Sequence, residues 1–178
     1  MWKFLLPFAA FVALVVLFAF GLSPNRDIHE LPSPLIGKAA PEFALKDVLD
    51  PTRTVSTAAL KGQIYVLNVW ATWCVACREE QESLLAIARQ HVVPIIGLDY
   101  RDNQDKAKLW LTQLGNPYAA VPFDGDGRTA IDWGVYGAPE TYLVDANGRI
   151  IYKFISPLTK EVWEKEFLPR IAAARSGA

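Results

Sequence analysis

The chain has two cysteines, and both stand in Cys74-Val75-Ala76-Cys77, where an apolar run over residues 64–70 gives way to an amphipathic segment. This pair constrains the chain more than any other feature, because it places two thiols at a strand-to-helix turn. Cys74 falls at or just before the first helical turn, and Cys77 lies one turn further in. Backbone N–H groups without helical partners point at the Cys74 sulfur there, and the helix dipole favours its anion. A thiolate, the nucleophilic form, is then easier to reach than the free-cysteine pKa of ~8.5 implies. Two thiols at this spacing can close a disulfide and open it again. The segment reads as a site of reversible dithiol–disulfide chemistry that needs no other cofactor.

Other uses of the motif are weighed against that reading. Half of a zinc site has this spacing, but zinc takes about four ligands. Only His29 and His91 remain to supply them, so no metal is expected. Arg78 follows Cys77, where haem attachment requires histidine. A purely structural disulfide is a further alternative, although so small a loop constrains the unfolded chain least.

The amino terminus sets the compartment. Residues 4–22 carry no charge, a run close to the ~20 residues that span a bilayer as a helix. A cleaved signal peptide has a shorter apolar core of about 7–15 residues, and Ala19-Phe20-Gly21 fits its cleavage site weakly. Residues 1–22 are therefore expected to be an uncleaved anchor. Lys3 before the span keeps the amino terminus inside and exports the rest. In a bacterium this means the inner membrane with the domain in the periplasm, where disulfides persist. Residues 23–36, with Pro24, Pro32 and Pro34, read as an extended tether, reaching at most ~50 Å. A net charge of −1 gives no sign of a nucleic-acid partner.

Residues 37–176 form one domain in which strands alternate with helices. Strands are expected over 42–48, 54–57, 63–70, 92–100 and 118–123, and helices over 75–90 and 102–114. Leu109, Trp110 and Leu114 supply the apolar face of the second helix. Asp124-Gly125-Asp126-Gly127 looks like part of a calcium loop, but Val135 stands where the glutamate belongs, so it reads as a turn. A short helix over 128–133 follows. Strands over 141–145 and 149–155 then form a hairpin on a type I′ Asn147-Gly148 turn, and a helix over 159–174 closes the chain. The pattern specifies an α/β fold with a central mixed sheet flanked by helices.

Glu80 is the most informative neighbour of the thiols. Cys77, Glu80, Leu84 and Ile87 share one helical stripe, and the last two must face the core. Burial raises a carboxylate pKa toward the range useful for proton exchange with a thiolate. The alternative is an ordinary acid at a helix amino end. Glu79 and Glu82 project elsewhere and are expected in solvent. His91 follows the helix and is expected to interact with its carboxyl end.

Trp70-Ala71-Thr72-Trp73-Cys74-Val75-Ala76-Cys77 resembles the W-x-x-W-C-x-x-C signature of thioredoxin-like proteins. With residues 36–43 and Gly134-Val135-Tyr136-Gly137-Ala138-Pro139-Glu140-Thr141, the chain resembles the membrane-anchored cytochrome c maturation (CcmG/DsbE) type. The resemblance implies a thioredoxin-like fold with an N-terminal β extension and a helix–strand insertion over 102–123. It implies a cis Ala138–Pro139 bond facing the cysteines, where an extended peptide pairs by strand addition. Glu140 would sit at the rim and add negative charge, and Trp73 would cover the site, unless it is a plain core aromatic. Asn68 departs from thioredoxins proper, which carry a buried aspartate there; an amide cannot titrate, so proton handling passes to Glu80.

What this implies is a thiol–disulfide oxidoreductase. Cys74 attacks a partner disulfide and Cys77 resolves the mixed disulfide. Its partners would be apocytochrome c or the thiol proteins that mature it, with a membrane thiol reductant supplying electrons. A broader oxidase or isomerase of exported proteins is one alternative. A non-catalytic peptide-binding module is the other, and the intact thiols with flanking tryptophans argue against it.

Overall fold

Apolar β-branched runs interrupted by proline and glycine set the element order in the computed structural model, which describes residues 2–21 and 33–177. Helix α1 (Trp2–Gly21) is followed by β1 (Ala44–Lys46), β2 (Thr54–Ser56) and a short helix α2 (Thr57–Leu60). Next come β3 (Tyr65–Trp70), α3 (Val75–Ala88), β4 (Ile95–Tyr100), α4 (Gln104–Leu114), β5 (Phe123–Asp124) and α5 (Arg128–Asp132). Strands β6 (Glu140–Val144) and β7 (Ile150–Phe154) precede α6 (Lys160–Val162), a π-helical turn (Trp163–Phe167) and α7 (Leu168–Ser176).

The central sheet has the order β5-β4-β3-β6-β7, with β1 and β2 forming a separate antiparallel pair. Strand β3 runs parallel to β4 and antiparallel to β6, so the sheet is mixed as expected. Every residue of β3 is buried, because helices or loops cover both sheet faces. Val66 and Trp70 join Leu84, Ile87, Trp110 and Trp163 on one face. Tyr65, Leu67 and Val69 meet Phe43, Leu98, Trp133 and Tyr142 on the other. Asn68 is the lone polar side chain of β3, fully buried at the centre of the sheet.

Several expectations are corrected. The buried face of α4 is Ala107, Trp110 and Leu111, while Leu109 is exposed. Residues 107, 110 and 111 follow the i, i+3, i+4 rule, and Leu109 lies off that stripe. The strand expected over 118–123 shrinks to Phe123–Asp124 plus single contacts such as the Ile96–Ala120 bridge. Pro117 and Pro122 lack the N–H groups that a continuous ladder needs. The Asn147-Gly148 turn is not type I′, since only Gly148 has positive φ. Gly148 N–H donates to the Asp145 carbonyl at 2.9 Å, the pattern of a type I turn followed by a left-handed glycine. The closing helix contains a π-helical turn just before Pro169; proline has no N–H to continue α-helical bonding.

The tether is also revised where it is described. Residues 33–36 form a turn closed by Ile36 N–H on the Ser33 carbonyl at 3.1 Å, and Leu35 packs on the domain. The domain thus begins before residue 37. The rest of the tether, His29 included, lies outside the described residues. In α1 the described side chains, residues 4–19, are exposed. Among the described residues no helix is long and apolar enough to cross a membrane.

Candidate functional site

Strand β3 ends in Trp70, and four residues later Cys74 caps α3. Its backbone is extended (φ −87°, ψ 110°), and its sulfur accepts the Cys77 N–H at 3.0 Å. Cys74 and Cys77 are joined in a disulfide, and both are buried. The sulfur thus takes the place of a capping oxygen at the positive end of the helix.

The loop before Cys74 is held from the start of the insertion. The Asp102 carboxylate accepts the Thr72 N–H, and the Thr72 hydroxyl donates to it at 2.7 Å. Trp73 Nε1 donates to the Arg101 carbonyl at 3.0 Å, and its ring meets Tyr100 edge-on. Trp73 is 54% exposed. It is therefore a surface side chain next to Cys74 and not a core aromatic. Val75 and Tyr136 are exposed as well.

Glu80 is buried on the same stripe as Cys77, Leu84 and Ile87, while Glu79 and Glu82 are exposed. Its Oε1 accepts Asn68 Nδ2 at 3.1 Å, and its Oε2 accepts the Leu158 N–H at 2.7 Å. Burial pushes the carboxyl pKa up to about 7, against the pull of those two donors. Asn68 also donates to Thr141 Oγ1 at 3.1 Å and accepts the Tyr118 hydroxyl at 2.8 Å.

The Ala138–Pro139 bond is cis. In the β3–β6 register Val69 faces Glu140, which brings Pro139 to the Cys74 end of the sheet. Glu140 itself is not at the rim. It is fully buried, and Lys153 Nζ lies 3.0 Å from its Oε2. Tyr136 N–H donates to its Oε1 at 2.7 Å, and the Tyr142 hydroxyl donates to its Oε2 at 2.8 Å. The side chain turned inward because β6 begins at this residue and Lys153 of β7 supplies a buried cation. Glu140 adds no free charge to the surface. It fixes the loop that carries Tyr136 and Pro139.

His91 follows α3 with a positive φ of 51°. Asp124 caps α5, accepting Thr129 N–H at 3.1 Å and Ala130 N–H at 2.8 Å. This is the turn expected there.

Sequence reasoning missed Tyr118, Asp102, Lys153 and Asp99. Asp102 could have been found as an acid opening a helix, but its bond to Thr72 reaches back 30 residues across α3 and β4. Asp99 is buried, no donor among the described residues reaches either of its oxygens, and its pKa is raised to about 8 by burial, Asp102 and Asp124.

The sequence model of the Redoxin family matches residues 35–167. The thiol:disulfide interchange protein DsbE of Allochromatium vinosum is 43% identical over 173 residues, covering 97% of this chain and 94% of its own. The chain belongs to the DsbE family. DsbE of Escherichia coli K12 is 42% identical over 169 residues, covering 93% of this chain and 91% of its own. Among solved structures, a secreted thiol-disulfide isomerase from Corynebacterium glutamicum superposes with a TM-score of 0.68 at 23% identity. It covers 84% of this chain and 95% of its own, and this likeness shows the fold, which is thioredoxin-like. This DsbE-family chain is a thiol–disulfide oxidoreductase, and its redox-active group is the Cys74–Cys77 disulfide.

Proposed function

We propose that this chain is a reductant for cytochrome c biogenesis, exported to the periplasmic side of the bacterial inner membrane and held there by its N-terminal segment. One observation carries the reading. Cys74 caps α3 with the Cys77 N–H on its sulfur at 3.0 Å, and Cys77 stands one turn before buried Glu80. The uncharged run over residues 4–22 supports the anchor, and the DsbE relatives support the redox role.

In the reduced protein the Cys74 thiolate attacks one sulfur of a partner disulfide. The partner's S–S bond breaks, a Cys74–partner disulfide forms, and the leaving thiolate takes up a proton. Cys77 then loses its proton to Glu80 and attacks the Cys74 sulfur, which releases the second partner thiol. The partner gains two electrons and the Cys74–Cys77 disulfide closes. A membrane thiol reductant reopens it. Exposed Trp73 and the backbone of the loop that carries buried Pro139 flank the attacking sulfur as the surface on which an extended peptide lies, and exposed Val75 and Tyr136 suit apolar residues beside the partner's cysteines. The partner is apocytochrome c or a thiol protein that handles it. Glu140 acts here by holding the Pro139 loop and not by meeting the partner.

Trapping tests this. A Cys77→Ala protein expressed in its host should retain apocytochrome c, or a maturation thiol protein, as a mixed disulfide that dithiothreitol releases. Capture of many unrelated exported proteins would instead favour a broad oxidase or isomerase. A strongly oxidising equilibrium potential against glutathione would remove the reductase reading.

A further inference from the structure

Tyr118 lies in the insertion, far in sequence from the thiols, yet its hydroxyl donates to Asn68 Oδ1 at 2.8 Å in the middle of β3. An amide has one acceptor end and one donor end. With Oδ1 occupied by Tyr118, the Asn68 NH2 must face the other way, toward Glu80 Oε1 and Thr141 Oγ1, each at 3.1 Å. We infer that Tyr118 is a positioning residue for thiol–disulfide exchange: it fixes the Asn68 amide so that Glu80 receives a donor and its carboxylate is favoured. The inference deepens the reading of Glu80 as the proton acceptor for Cys77 and rests on it for its consequence in exchange.

The fold is built around this placement. Gly97 of β4 faces Asn68 in the parallel register. A Cβ at Gly97 would come within 2.6 Å of the Tyr118 ring. The ring fills the space that the missing side chain leaves and stacks on Trp70 at 5.6 Å. Asn116 Oδ1 accepts the Tyr118 N–H at 2.9 Å and fixes the turn that delivers it. Without the phenol, the buried amide is free to rotate and offer Oδ1 to a protonated Glu80, which favours the acid form. Burial already draws Glu80 toward that form, so the direction of the amide decides how far it goes. The titratable groups facing this network are Cys74 and Cys77 on α3, Tyr118 itself, and Asp99 of β4, which acts on Tyr118.

The test is the Glu80 titration in the oxidised full chain in detergent, where the thiols do not ionise. Side-chain carboxyl 13C signals are followed with pH, and Glu80 is assigned by its loss in Glu80→Gln. Tyr118→Phe should raise the Glu80 midpoint by about half a unit or more. Gly97→Ala, which displaces the ring but keeps the hydroxyl, should move it the same way. In the wild-type protein the Asn68 side-chain NH2 signals should shift with the Glu80 midpoint. An unmoved midpoint in a folded Tyr118→Phe protein overturns the inference, as does a wild-type Asn68 amide blind to the Glu80 titration. If the Glu80 midpoint moves while the pH profile of Cys74 alkylation in the reduced protein does not, the positioning role stands and the role of Glu80 in exchange falls.

Discussion

Cys74 and Cys77 are chemically alike and differ in their place on α3. Cys74 caps the helix and receives an N–H, whereas Cys77 lies inside the first turn among core residues. The cap position favours the anion. In the reduced domain near neutral pH, iodoacetamide should label Cys74 at least ~10-fold faster than Cys77, as peptide mapping would read; faster labelling of Cys77 would reverse the roles. Glu80 works against the thiolate, because a nearby carboxylate disfavours a second negative charge. Glu80→Gln should therefore lower the apparent thiol pKa by up to about one unit, measured by thiolate absorbance. Glu79→Gln, on the exposed face, is the control and should leave the titration in place.

At the scale of elements, the segment between α5 and β6 is held by one buried ion pair. Lys153 of β7 meets Glu140 at 3.0 Å and also donates to the Gly134 carbonyl at 2.8 Å. Removing one partner leaves the other charge buried and unpaired, which costs about 3–5 kcal/mol. Urea unfolding of oxidised Glu140→Ala should show a loss of that size. A well-packed Glu140→Leu, Lys153→Met double replacement should recover most of it. A loss under about 1 kcal/mol in the single variant would mean that the pair is solvated. The same pair explains why this acid, in a block that the resemblance placed at the rim, makes no acidic surface.

At the scale of the whole molecule, buried acids with raised pKa values among the described residues, Glu80, Asp99 and Asp124, shape the pH dependence of stability. Glu80 is raised to about 7 and Asp99 to about 8, both chiefly by burial. Their unfolded values lie near 4. Between those limits the folded protein binds more protons than the unfolded one, so stability falls as pH rises. The contribution is fully present below about pH 4 and is lost as pH passes 7 to 8. The oxidised protein should therefore melt at a lower temperature at pH 8.5 than at pH 5.5, by several degrees. Asp99→Asn should flatten the slope, and equal melting temperatures with and without Asp99 would show that its carboxyl is hydrated. The full chain should also keep its complete mass and stay with membranes through a high-salt wash. A soluble form starting near Leu22 would show cleavage instead.

The sequence by itself determined the α/β order, the thiol pair on a strand-to-helix turn, and the buried stripe that carries Glu80. These depend on local periodicity and on chain spacing, which a single segment contains. Tertiary structure decided what those residues touch. Glu80 meets Asn68 from β3 and Leu158 from the loop after β7, and Asn68 meets Tyr118 from the insertion. Such partners are set by strand register, as where Gly97 opposite Asn68 admits the Tyr118 ring. Glu140 shows the same division. The resemblance placed it at the rim as an exposed acid, and only the neighbouring β7, which brings Lys153 against it, turned it into a buried ion pair. A buried charge is stable only with its counter-charge present, and that partner is supplied by the fold.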